Sequence, residues 1–195
     1  MAFNEFTLEL VAKSLGIHTE EADLFPDLSP VELPEWLPIL LARGTRLAYL
    51  SEKSRSEFIV VPTLLAAREL CGERMAIYSG QRFDVDVARG LSGECDFILA
   101  LGPAIPPLRA PIATVVEAGL GQCIAQMVAA RMFNESGGQN VSVYGCVTNG
   151  EAWQFLRLKE SAAVLDIRRY YMDNVGGVLA VLLAIIAEAE RSTSR

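Results

Sequence analysis

The sequence predicts an α/β domain: a mixed β-sheet flanked by helices, with a helical extension at the N-terminus. Three observations carry that reading. Apolar residues recur at helical spacing up to Cys71, the pattern turns strand-like after Gly72, and Asn149-Gly150 separates two apolar runs as a hairpin turn does. Half of the 195 residues are hydrophobic (51%), enough to fill one sizeable core without a second domain.

Residues 1–50 read as helices broken by proline corners, with one amphipathic face in "FTLELVAKSLGI" and a proline-entered helix in "SPVELPEWLPILLARG". They form the extension, and residues 51–195 form the α/β domain proper. "SRSEFIVVPTLLAARELC" follows as a helix that Pro62 kinks or delays. "MAIYSGQRFDVDV" then gives two extended pieces around Ser79-Gly80, with Asp84 and Asp86 on the wet face of the second. "ECDFILALG" and "PIATVVEA" are short apolar runs suited to central strands, the first opening on an acid and the second closing on one. A helix over "GLGQCIAQMVAARMFNES" comes next, then the hairpin, in which Trp153 and Phe155 are expected to pack in the core. The apolar run "VGGVLAVLLAIIA" is too short for a membrane span and is read as a buried C-terminal helix or a contact between copies.

Composition removes several function classes. The net charge of −7 gives the whole chain no footprint for a polyanion, so any nucleic-acid role needs a local site. Four widely spaced cysteines, Cys71, Cys95, Cys123 and Cys146, form no zinc pattern and are expected as buried thiols. His18 is the single histidine and lies in the N-terminal extension, which leaves Ser-His and Cys-His catalysis and multi-histidine zinc sites effectively without a residue. No phosphate loop or dinucleotide fingerprint is present. The N-terminus lacks the charged-then-apolar pattern of an export signal, which predicts a cytoplasmic protein that does not engage a membrane.

What remains is the pair of strand-end acids. Asp96 and Glu117 are separated by one strand, a proline-containing turn and a second antiparallel strand, a spacing that permits a shared site. Carboxylate oxygens are the ligands hard divalent cations take.

An acid opening one strand, a glutamate closing the next and a helix immediately after resembles the plan of the PD-(D/E)XK nuclease superfamily. The blocks "SEFIVVPTLLAARELC", "YSGQRFDVD", "GLSGECDFIL", "VVEA", "GLGQCIAQMVAARMFN" and "VYGCVTNGEAWQFLRL" are similar, in order, to a bacterial group of restriction-endonuclease-like proteins within it. The resemblance implies a restriction-endonuclease-like sheet and a site for Mg²⁺ or Mn²⁺ held by Asp96, Glu117 and the Ala118 carbonyl. It also implies that Glu57 reaches the site from the preceding helix and that Gln122 faces the scissile phosphate. The departure is the motif lysine: the triplet here is Glu117-Ala118-Gly119. Lys53 and Arg131 are the nearest replacement cations by sequence. Two functions follow as expectations, a metal-dependent nuclease (or its degenerate descendant) acting on DNA or RNA, and an inactive nuclease-fold scaffold that forms a homodimer through the apolar C-terminal helix.

Overall fold

The computed structural model describes residues 1–193. Its strands are β1 (His18–Ala22), β2 (Met75–Arg82), β3 (Glu94–Leu101), β4 (Ile112–Glu117), β5 (Tyr144–Thr148), β6 (Ala152–Leu158), β7 (Ala162–Asp166) and β8 (Tyr170–Tyr171). They join in one mixed sheet of order β1-β7-β6-β5-β4-β3-β2, with β8 paired to β6. The β1/β7 and β4/β5 pairs are parallel, and the rest are antiparallel. The helices are α1 (Leu8–Leu10), α2 (Trp36–Ala48), α3 (Glu52–Arg55), α4 (Val61–Leu70), α5 (Leu120–Ser136) and α6 (Val175–Thr193).

Both faces of the sheet are covered, which is why the central strands read as near-continuous apolar runs. On one face α4 and α6 pack Leu64, Leu179, Leu182 and Ile185 onto Phe97, Leu99, Trp153 and Phe155. On the other, α5 packs Ile124, Met127 and Val128 onto Ile98, Ile112 and Val115. α5 is also the crossover that makes β4 and β5 parallel, so β4 ends where α5 begins.

Asn134, near the C-terminal end of α5, is buried and clips that helix to the start of β4. Its Nδ2 donates to the Ile112 carbonyl at 2.8 Å and its Oδ1 accepts from the Ile112 N–H at 2.7 Å. Asn134→Ala strips two partners from a buried backbone and is expected to lower stability by about 3 kcal/mol, measured by urea denaturation. An unchanged midpoint would show that water replaces the amide there.

The expectations for β3, β4, α5 and the β5–β6 hairpin agree with the structure. Four others need correction. The N-terminal 50 residues are no separate helical extension, because β1 adds an edge strand and Phe3, Phe6, Val11 and Ile17 enter the α5-side core. β2 is one strand running through Ser79-Gly80, and the following acids lie beyond its end, Asp86 in an isolated bridge to Leu91. Asp84 accepts from the Gly93 N–H and from Arg82, and Asp86 accepts from the Arg89 N–H. Pro62 does not delay the start of the helix, which runs unbroken from Glu52. α3 passes into α4 through the π-wound segment Ser56–Val60, which widens just before the proline that has no N–H for the Phe58 carbonyl. Finally, helical residues Met172–Thr193 are long and apolar enough to cross a bilayer, but 61% of their most apolar 18 residues is buried inside the protein. The apolar side chains Val178, Leu179, Val181, Leu182, Ile185 and Ile186 are covered by the protein's own core.

Candidate functional site

The β3/β4 ladder sets Phe97 opposite Val116, and one further step of that register places Asp96 opposite Glu117. Alternation along β4 turns Val115 and Glu117 toward α5, where Gln126 is buried. Gln126 Nε2 donates to Glu117 Oε2 at 2.6 Å, and the Ala118 N–H donates to Glu117 Oε1 at 3.2 Å. Glu117 is 4% exposed, whereas Asp96 remains open to solvent.

Burial pushes the Glu117 carboxyl up to about 8, and a hydrogen bond to Asp96 together with that neighbour's negative charge pushes in the same direction. Gln126 and the Ala118 N–H pull the other way without overcoming it. Burial and the neighbouring charge thus favour the protonated form of Glu117. Asp166, the other buried carboxylate, differs: it accepts from the Leu24 and Arg168 N–H groups and the Tyr170 hydroxyl, a set that pins β7 to its surroundings.

Asp96, Glu117 and Ala118 border a cavity of about 30 Å³, which Glu52, Arg55 and Ser56 close from the α3 side and Thr148, Asn149 and Gly150 from the hairpin. That is room for one ion or water. Arg55 is fixed by the hairpin. Gly150, at φ +90°, lies so close that a Cβ on it would be 3.1 Å from Arg55 Cβ and 3.5 Å from its Cδ. Arg55 Nε is buried with no hydrogen-bond partner, and so is Gln126 Oε1. Two of the four orphaned buried side-chain atoms among the described residues therefore belong to this one site.

The sequence-predicted residues divide. Asp96, Glu117 and Ala118 come together. Glu57 does not line the cavity; it is exposed, with an oxygen 3.9 Å from Lys53 Nζ. Gln122 is also outside it, folded back near Gly119, and its helical neighbour Gln126 makes the contact with Glu117. Neither proposed replacement cation is at the site. Lys53 is 84% exposed beside Glu57, and Arg131 donates to the Lys159 and Glu160 carbonyls. Arg55 is the cation there, and no signal in the sequence singles it out.

Among the described residues, no group of three or more histidine, cysteine, aspartate or glutamate side chains is arranged to hold a metal. Two carboxylates still fit Mg²⁺, which keeps several waters and takes one or two protein carboxylates with the rest from substrate. The four cysteines are free and buried as expected. Burial pushes the Cys95, Cys123 and Cys146 thiols well up, which disfavours the thiolate that a nucleophile or metal ligand requires.

In comparisons with known proteins, no family model matches the chain, and no curated protein or solved structure matches it either.

Proposed function

We propose that the chain is a divalent-cation-dependent phosphodiesterase of the PD-(D/E)XK plan, acting on DNA or RNA. The observation that carries this reading is a buried Glu117 beside Asp96 at adjoining strand ends, with Arg55, whose buried Nε has no hydrogen-bond partner, on the same cavity. Asp96, Glu117 and the Ala118 carbonyl would hold Mg²⁺ or Mn²⁺. Bound there, such an ion supplies Lewis-acid stabilisation of phosphate charge and lowers the pKa of a coordinated water.

The chain's own residues do the rest. Gln126 and the Ala118 N–H orient the Glu117 carboxylate from behind, as outer hydrogen bonds do for metal ligands. Arg55 presents a permanent cation to a phosphate oxygen, the electrostatic part of what the missing lysine would give. Because arginine stays protonated, it positions and stabilises charge and does not take the proton of the attacking water.

The test is cleavage of labelled single-stranded and duplex DNA and RNA by the wild type and Asp96→Ala, with Mg²⁺ or Mn²⁺. Cleavage that needs the metal and vanishes in the variant supports the reading. The second reading, an inactive nuclease-fold scaffold, rests on Gly119 standing where the superfamily has lysine. It expects no cleavage of any of these substrates with either ion.

A further inference from the structure

A second cavity adjoins the first across Arg55. It measures about 360 Å³ and lies between the C-terminal half of α2, the π-wound segment and the β8 end of the chain. That volume is at the small end of ligand pockets. Its apolar floor includes Leu41 and Ile59, and its rim carries Tyr49 and Tyr171, which are 70% and 50% exposed. Two exposed tyrosines on one small cavity are unusual for a surface that serves packing alone, because a ring contributes to stability chiefly when it is buried.

The charges around the cavity sort what enters it. Glu151 and Asp173 line it as exposed carboxylates and disfavour a phosphate inside. Carboxylates accept hydrogen bonds from exocyclic amines, as they do from the amino group of cytosine. Arg55 lines both cavities, so a ligand with its phosphate at Arg55 has its next group at the tyrosine rim. Phosphate beside a planar, amine-bearing ring is the chemistry of a nucleotide.

Resting on the phosphodiesterase reading above, we propose that this cavity is a nucleobase subsite. It takes one unpaired, amine-bearing base of a single strand next to the phosphate held at the acid cavity. Tyr49 and Tyr171 supply the stacking surface, Glu151 and Asp173 accept from the amine, and Arg55 bridges base and phosphate sites. A base inside a duplex cannot enter, so the subsite selects single-stranded or frayed substrate.

The experiment is fluorescence anisotropy with labelled oligo(dC) and oligo(dT), in Ca²⁺ at low ionic strength. It compares the wild type with Tyr49→Ala, Tyr171→Ala and Asp173→Ala, all at exposed positions where folding is insensitive to truncation. The wild type is expected to bind oligo(dC) more tightly than oligo(dT), which lacks the amine. Each tyrosine variant loses about fivefold or more on oligo(dC), and Asp173→Ala brings the two oligonucleotides to the same affinity. Wild-type affinity in both tyrosine variants, or no preference for oligo(dC), overturns the subsite. If the wild type binds neither oligonucleotide the subsite also falls. Titration of Mn²⁺ alone into the same protein then shows whether the acid site stands without it.

Discussion

Arg55→Ala lowers phosphodiester hydrolysis by roughly 10²–10³-fold while leaving divalent-cation binding intact. That range is typical when one preorganised charge-stabilising donor is removed from a water-poor site. Arg55 borders the acid cavity but carries no ligand oxygen, and removing a cation beside two carboxylates leaves their attraction for a dication no weaker. The rescue is specific. Gly119, in the position of the motif lysine, has extended backbone at φ −100° and ψ 130°, and a Cβ there would meet only Gln122, at 3.6 Å or more. Gly119→Lys is therefore sterically allowed and is expected to restore part of the rate to Arg55→Ala. Steady-state cleavage rates and metal isotherms on both variants check this. Wild-type turnover in Arg55→Ala would remove the arginine from the mechanism.

Glu117→Gln makes the metal-free protein more stable than the wild type at pH 8 and abolishes divalent-cation binding. The direction follows from the Glu117 carboxyl, held at about 8 in the folded protein against an ordinary 4.5. A group whose folded value is raised gives its full stability below the unfolded value and loses it as pH rises through the folded one. In the wild type this group costs about 1.4 kcal/mol of stability for each pH unit between those limits. Glutamine cannot ionise, so the variant lacks that slope and its advantage grows from pH 5 to pH 8. Urea denaturation in chelator across this range is the measurement. Parallel curves for the two proteins would mean that Glu117 ionises freely in place. Mn²⁺ at a hundredfold excess over its Kd should return about 2.7 kcal/mol to the wild type and nothing to the variant.

The sequence carried the centre of the fold and lost its edges. β4 is buried throughout and β3 is buried from Phe97 to Ala100, so their apolar runs were readable, and Asn149-Gly150 marked the hairpin between β5 and β6. β1 has the sequence His-Thr-Glu-Glu-Ala and is largely exposed, so no apolar alternation announced it; parallel pairing with β7 makes it a strand. β7 itself begins with two alanines and spans five residues, too short and too bland to separate from a loop. At the site, the strand-end acids and the antiparallel turn made a shared site permissible, and the β3/β4 ladder, with its register shift between Leu99 and Ala100, is what sets them side by side. Arg55 was not legible, because what holds it is the hairpin tip at Gly150, about a hundred positions away in sequence. Gln122 and Gln126 share a helical face, and which of them reaches Glu117 depends on a single turn of α5 that only the packed structure decides.

Isothermal titration of Mn²⁺ into the wild type and Asp96→Ala at pH 7, repeated in two buffers of different ionisation enthalpy, tests the central claim most directly. A metal held by Asp96 and Glu117 must displace the proton that burial favours on Glu117. The wild type is expected to bind one ion with a buffer-dependent heat that reports proton release, and Asp96→Ala to show no binding. A wild type that takes up no ion, or binds it equally well without Asp96, would contradict the metal site and with it the phosphodiesterase reading.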